Sequence, residues 1–378
     1  METFKYKIAQ LIRYLGDSFF YPFFALYLSS LGNKESQIGL ILMIMPLVGV
    51  VINPMWSLFA KNVNMNRIFI IILTLIEGLL LIYIMQVTTL PFIVVGVLLL
   101  AVVGQPFYML FDGYTAIYNI QSGTSYSSIR LFGSLGFAIG VLAAGYVTKH
   151  LGFHYAFYTA AVFFMLLSLM LMWIKPLELK EDLSQKPDPK ALLKNKKYIK
   201  FSLFYVISLA VLFSGDAFLG TYFEFKGLGS DIYGMVTFMG VVMEIVVLLI
   251  YAKWGHKFKK TYVMLSIVIF NFLRFLVFSF DVNNYLLISV SLIRAITMAG
   301  LLFVGVEYMT KNVAKKNMTL GITLYSSLRL FLHAMLVFGA GYFIVDFGYF
   351  NFYLTIALLS LLALVFIDYN DKHDIINK

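Results

Sequence analysis

A set of ionisable side chains stands deep inside the apolar stretches of this chain: Asp17, Glu77, Asp112, Arg130, Asp216, Glu244, Arg274, Arg294 and Arg329. A charge at the centre of a membrane helix costs about 2.5 kcal/mol or more, so such groups face a polar interior and mark a solute or ion path. Carboxylates there can load and unload protons. Guanidinium groups beside them can grip hydroxyls or a solute carboxylate. The mixture of signs points to transport and argues against a transport-inactive sensor or scaffold.

Spacing sorts these groups onto helical faces. Gln105, Tyr108, Asp112 and Thr115 share one face, and Arg130, Ser134 and Phe137 share another. Thr237, Gly240, Glu244 and Tyr251 form a third stripe, with Asn271 and Arg274 on a fourth. Asp17 has Arg13 four residues before it and Tyr21 four after; Asp216 shares a face with Gly220 and Glu224; Arg329 lies with Ser326 and His333. The competing reading of each is a permanent ion pair: Arg13 with Asp17, Asp112 with Arg130, Glu244 with Arg274, and Asp216 with Arg294 or Arg329. A buried carboxylate beside a cation is pulled both ways by desolvation and by the neighbouring charge, which is what a proton carrier needs.

The elements that must hold these groups are membrane helices. The chain has 378 residues, 61% of them hydrophobic and 13% charged, and its mean hydropathy is +0.87. Too little polar residue is present to clothe a soluble domain. Apolar runs predict twelve spans: Ile8–Leu31, Ile38–Ala60, Ile68–Met85, Leu90–Tyr114, Ser127–Val147, Phe153–Ile174, Phe201–Phe223, Ile232–Tyr251, Tyr262–Phe280, Tyr285–Met309, Leu320–Ile344 and Tyr349–Tyr369. They do not alternate as barrel strands would. The expected class is an all-α polytopic membrane protein with six helices in 1–174, a basic linker in 175–200 and six more in 201–378.

Lysines fix the expected orientation. The linker and the loops of its parity carry Lys61, Lys180, Lys190, Lys257, Lys311 and others, against Lys34, Lys149 and Lys226 opposite. Basic loops stay in the cytoplasm, so both termini are expected there. The N-terminal METFKYKIAQLIRYLGDSFF reads as a short lead into the first helix, not a signal peptide. The net charge of +10 is then a topology signal, with no nucleic-acid partner. The sequence has no cysteine and five scattered histidines, so neither thiol chemistry nor a metal site is expected. No Gly-x-Ser-x-Gly elbow or Walker loop occurs, which argues against an enzyme and against ATP drive. No cofactor is expected.

Twelve spans around a basic central loop resemble the major facilitator layout. Phe19–Trp56 resembles the first two helices of the branch that contains phenylpropionate permeases, nucleoside symporters and lactose permease. SYSSIRLFGSLGFAIGVLAAG (Ser125–Gly145) resembles its fifth helix; GVVMEI (Gly240–Ile245) and FLRFLVFS (Phe272–Ser279) resemble its eighth and ninth. The resemblance implies substrate roles for Asp112 and Arg130, an aromatic solute contact at Phe137, and rocking of two halves around a central site. It also implies a bacterial inner membrane, a monomer, and a third helix away from the cavity, where Glu77 would be protonated or snorkelling. The chain departs from the pattern at Ser57 and Lys61, where the branch carries a Gly and an Asp of its loop signature. It departs again at Arg294, where relatives often have a His.

The expected function is proton-coupled symport of a small polar solute, a saccharide, glycoside or nucleoside. Asp112, Arg130, Phe137, Arg274 and Tyr108 are the expected solute contacts, with Glu244, Asp17 and Asp216 as proton carriers. Uptake of aromatic or other organic anions, and efflux of drugs or lipids, stand as alternatives. Sodium could replace the proton. The lipid bilayer is the remaining partner.

Overall fold

The computed structural model describes residues 2–59, 63–177 and 188–369. Residues 178–187 of the basic linker, and Lys61 of the loop signature, lie outside the described residues. So does the side chain of Ser57.

Among the described residues the chain is helical and has no strand. The first pass is α1 (Glu2–Phe20), a 3-10 turn (Tyr21–Phe23) and α2 (Phe24–Ser30). Pro22 removes an amide donor, which explains why the helix tightens there. Then come α3 (Glu35–Phe59), α4 (Val63–Gln86), α5 (Leu90–Ser122), α6 (Tyr126–His150) and α7 (Phe153–Met172). A short α8 (Pro189–Lys194) closes the linker, capped by Asp188, which accepts from the Ala191 amide. The later passes are α9 (Lys196–Ala217) with α10 (Leu219–Phe225), α11 (Ser230–Trp254), α12 (Lys260–Phe278), α13 (Asn284–Ser291) with α14 (Arg294–Asn312), and α15 (Lys315–Leu361).

Among the described residues, ten helical stretches are long and apolar enough to cross a membrane. The pass through α1 and α2 is not among them, because Lys5, Lys7, Arg13 and Asp17 dilute it. The last stretch holds two passes, since α15 turns at Gly348, whose φ of 79° and ψ of 169° are open essentially to glycine alone. Gly152, between α6 and α7, has the same conformation, φ 96° and ψ 167°. Twelve passes result. Two details differ from the expected spans. The fourth helix runs on to Ser122, past the expected end at Tyr114. The tenth breaks at Leu292–Ile293, so that Arg294 opens a new helix.

The described fold forms two compact units, 1–182 with 223–238, and 183–222 with 239–378. In the first, α1 packs on α6 and α7, while α4 packs on α5 and α7. Glycines set the α1–α6 crossing: a Cβ at Gly136 would collide with the backbone carbonyl of Leu11, and one at Gly140 with the Ser18 hydroxyl. Gly136→Val is therefore expected to destabilise the protein by about 1–3 kcal/mol, the usual cost of overpacking. Thermal unfolding in detergent would show it as a lowered midpoint; an unchanged midpoint would remove the crossing from this account. Residues 223–238 are held to α6 by the Lys149–Asp231 ion pair, at 2.6 Å. A glycine contact supports it, in which a Cβ at Gly234 would lie 2.7 Å from the Val141 carbonyl. In the second unit α9 packs on α15, and α12 on α14 and α15.

Candidate functional site

Each unit buries one charged cluster. In the first, Arg13 of α1 is fully buried and forks between two acids. Its Nη2 lies 3.1 Å from Asp17 Oδ1, one turn along the same helix. The same nitrogen donates to Glu77 Oε1 of α4 at 3.0 Å, and Nη1 donates to Glu77 Oε2. Tyr108 of α5 donates to Asp17 Oδ2 at 2.8 Å, and Tyr21 donates to Glu77 Oε1 at 3.4 Å. The guanidinium sits against the rings of Phe107, Phe164 and Tyr108, at 4.2, 4.6 and 4.7 Å from their centroids. These faces supply partial negative charge where water is excluded. Gly104 makes the room: a Cβ there would lie 2.9 Å from Glu77 Oε1. Arg13, Asp17 and Glu77 thus form a cluster with two carboxylates and one guanidinium, all but closed to solvent.

This corrects the reading of Glu77. It neither snorkels nor stands apart; it is the bidentate partner of Arg13. The local Arg13–Asp17 pair read from spacing exists, but α4 shares it. The remaining sequence-derived groups of this unit lie beside the cluster. The Arg130 guanidinium of α6 covers the Tyr14 ring at 4.3 Å. Asp112 also acts on Tyr14 electrostatically. Asp112, Arg130, Ser134, Phe137 and Tyr108 are all partly exposed.

In the second unit Asp216 of α9 joins two arginines. Arg274 Nη2 of α12 is 2.7 Å from Asp216 Oδ1, and Arg294 Nε of α14 donates to Oδ2 at 2.6 Å. Glu244 of α11 lies 3.7 Å from Arg294 Nη1. One expected pairing is thereby corrected: Arg274 pairs with Asp216, and it is Arg294 that lies at ion-pair distance from Glu244. Of the two arginines expected at Asp216, Arg294 is the one that pairs with it. Arg274 is fully buried, whereas Asp216, Glu244 and Arg294 keep side-chain exposures of 17, 18 and 27%. These three are therefore partly accessible. Arg329 lies over the Phe213 ring at 5.4 Å, with no acid within ion-pair distance among the described residues. His333 Nδ1 is 3.0 Å from Ser214 Oγ and is accounted for as a core hydrogen bond.

Sequence reasoning missed the central place of Arg13 and the part of Glu77. One signal was available: Thr74, Glu77 and Leu81 share the buried face of α4 by steps of three and four. It also missed Gln10, and it placed Thr115 only on the Asp112 face; both are buried, and among the described residues their side-chain polar atoms have no hydrogen-bond partner. Orphaned polar groups cost about 1–3 kcal/mol each, so each needs an explanation. No group of three or more metal-ligating side chains occurs among the described residues.

A helical membrane protein of twelve passes, with mid-helix ion clusters in each of two units, has the build of a secondary transporter. The chain matches the MFS_1 like family over residues 4–366 and belongs to it. It is similar to the uncharacterized transporter YwbF of Bacillus subtilis (strain 168), at 20% identity over 93% of this chain and 89% of that protein. A shorter match, 29% identical over 36% of this chain and 35% of the other, is to a maltose permease of Geobacillus stearothermophilus. The nucleoside transporter NupG has the same fold, with a TM-score of 0.82 at 15% identity, covering 98% of this chain and all of that one. A POT family transporter in complex with 5-aminolevulinic acid follows at a TM-score of 0.74 and 12% identity, covering 97% of this chain and 95% of the other. The protein is a multi-pass membrane transporter of the major facilitator kind.

Proposed function

We propose that the protein is a proton-coupled symporter of a small polar solute, with nucleosides foremost and saccharides or glycosides next. The observation that carries this reading is the Arg13–Asp17–Glu77 cluster. Two buried carboxylates facing one guanidinium leave one negative charge that a single proton neutralises. The balanced Asp216–Arg274–Arg294–Glu244 cluster has partly exposed members that can hydrogen-bond hydroxyls. Asp112, Arg130, Tyr108 and Phe137 supply the polar and stacking contacts of the first unit. Asp17 and Glu244 are the proposed coupling acids, and Asp216 holds the two arginines that orient the second cluster. The likeness in fold to a nucleoside transporter supports nucleosides as the first class to try. The basic loops support cytoplasmic termini, the family likeness supports a bacterial inner membrane, and a monomer suffices for the fold.

The test is external pH in a weakly buffered suspension of de-energised cells expressing the protein, on adding uridine, maltose or phenylpropionate. Alkalinisation with one solute, absent in Glu244→Gln, is the expected result. No pH change with any of them would remove proton symport of these classes. One observation favours a second reading, uptake of organic anions: among the described residues Arg329 has no acid within ion-pair distance, and it would suit a solute carboxylate. Alkalinisation by phenylpropionate alone would select it.

A further inference from the structure

Some of the orphaned groups of the first unit fall on faces of α1 and α5 that meet. Thr3, Tyr6, Gln10, Arg13 and Asp17 recur on α1 at steps of three and four, hence on one face. Tyr108, Thr115 and Tyr118 share a face of α5 by steps of seven and three. Two contacts fix the antiparallel register between these faces: Tyr108 donates to Asp17, and Tyr118 stacks on Tyr6 with centroids 4.0 Å apart. Gln10 then falls level with Tyr114 and Thr115. Tyrosines bridge the helices on either side of this level, Tyr108 to Asp17 and Tyr118 to Tyr6.

The Tyr6 hydroxyl, both amide atoms of Gln10, and the Thr115 hydroxyl are buried there without a hydrogen-bond partner. Around them the core is apolar, built from Ala9, Phe107, Leu110, Phe111 and Ile129. Polar atoms left unpaired in such a core are the usual hosts of ordered water, which needs two to four partners. Tyr6 also lines a cavity of about 290 Å³ at the end of the unit that precedes the basic linker. Glu2, Tyr118, Ser122 and Lys175 contribute to its walls. The hydrogen bond from Lys5 holds the Glu2 carboxyl below its ordinary range, so that the cavity mouth carries an ionised acceptor.

We propose that this seam is a proton path: water molecules held by Tyr6, Gln10 and Thr115 join Asp17 to the cavity at Glu2. It deepens the proton-coupled reading above and rests on it. One proton leaves the Asp17 carboxyl along the water chain to the cavity, and no other bond changes. Asp17 remains an anion paired with Arg13. The charged and titratable groups around it are Arg13 and Tyr14 of α1, Tyr21, Glu77 of α4, Tyr108 and Asp112 of α5, and Arg130 of α6. Gln10 and Thr115 are positioning residues for the water, not carriers of the proton.

The experiment follows hydrogen–deuterium exchange of the protonated carboxyl in the full-length protein, in lipid nanodiscs, by its infrared C=O band. The band is assigned by its loss in Asp17→Asn. Gln10→Met and Thr115→Val are expected to slow its exchange tenfold or more. Thr148→Val, which alters a buried orphaned hydroxyl elsewhere on α6, should leave the rate unchanged. Exchange at the normal rate in whichever of the two seam variants folds, or no Asp17-dependent band, overturns the proposal. Because the measurement needs no solute, failure to find a transported compound would count against the transport reading alone and leave this result standing.

Discussion

Arg13→Met is expected to be the most destabilising single substitution in the first unit, at about 3–5 kcal/mol. The reason is the stoichiometry of its cluster. Arg13 is fully buried between Asp17 and Glu77, so its loss leaves two carboxylates in an apolar core with tyrosine hydroxyls as their remaining donors. The three aromatic faces that hold the guanidinium lose their cation as well. Adding Glu77→Gln removes one of the stranded charges and should restore most of the loss, because a buried ionic group costs most when its partner alone is removed. Thermal unfolding of the purified single and double variants would measure this. A double variant no more stable than Arg13→Met would show that packing, and not charge, sets the cost.

Asp17→Asn is expected to do the opposite: leave folding intact and abolish accumulation. The amide keeps the hydrogen bond from Tyr108 and removes the surplus negative charge, leaving Arg13 with Glu77 as a balanced pair. It mimics the protonated state permanently. Proton drive is worth roughly 2.3 kcal/mol per charge per 100 mV, or about a fiftyfold solute gradient. In proteoliposomes with an imposed potential of that size, the variant should reach no gradient at all. Exchange of labelled for unlabelled solute should persist, since it needs no proton release. Full accumulation by Asp17→Asn would remove this residue from coupling.

The passes were legible because a twenty-residue apolar run has few alternatives, and the family likeness was carried by particular stretches such as Ser125–Gly145. The break in the tenth pass was not legible. Leu292 and Ile293 carry no glycine or proline to punctuate the run, and the interruption depends on packing and on Arg294 reaching Asp216. Pairing was half legible. Arg13 and Asp17 are neighbours on one helix, so spacing found them. Glu77 comes from another helix, and nothing along the chain says which face of α4 meets α1. For the same reason Arg274 was assigned to Glu244, although the fold brings it to Asp216. Gln10 escaped notice because an uncharged polar residue in a helix is ordinary until its neighbours are known to be apolar.

Gly152 and Gly348 bear on the history of the chain. Both occupy the link between the fifth and sixth helices of a half, and both adopt a backbone conformation that any side chain would strain. Each is followed at once by an aromatic residue, Phe153 or Tyr349, that opens the next helix. One such turn could arise by chance. The same restricted glycine at the same ordinal place in both halves is the mark expected of an ancestral six-helix gene that was copied and joined to itself. The linker between the copies, with no counterpart inside either half, would then be the seam of that fusion. On that reading the charged clusters would mark where the copies diverged, since one keeps a surplus acid and the other balances its charges with arginine.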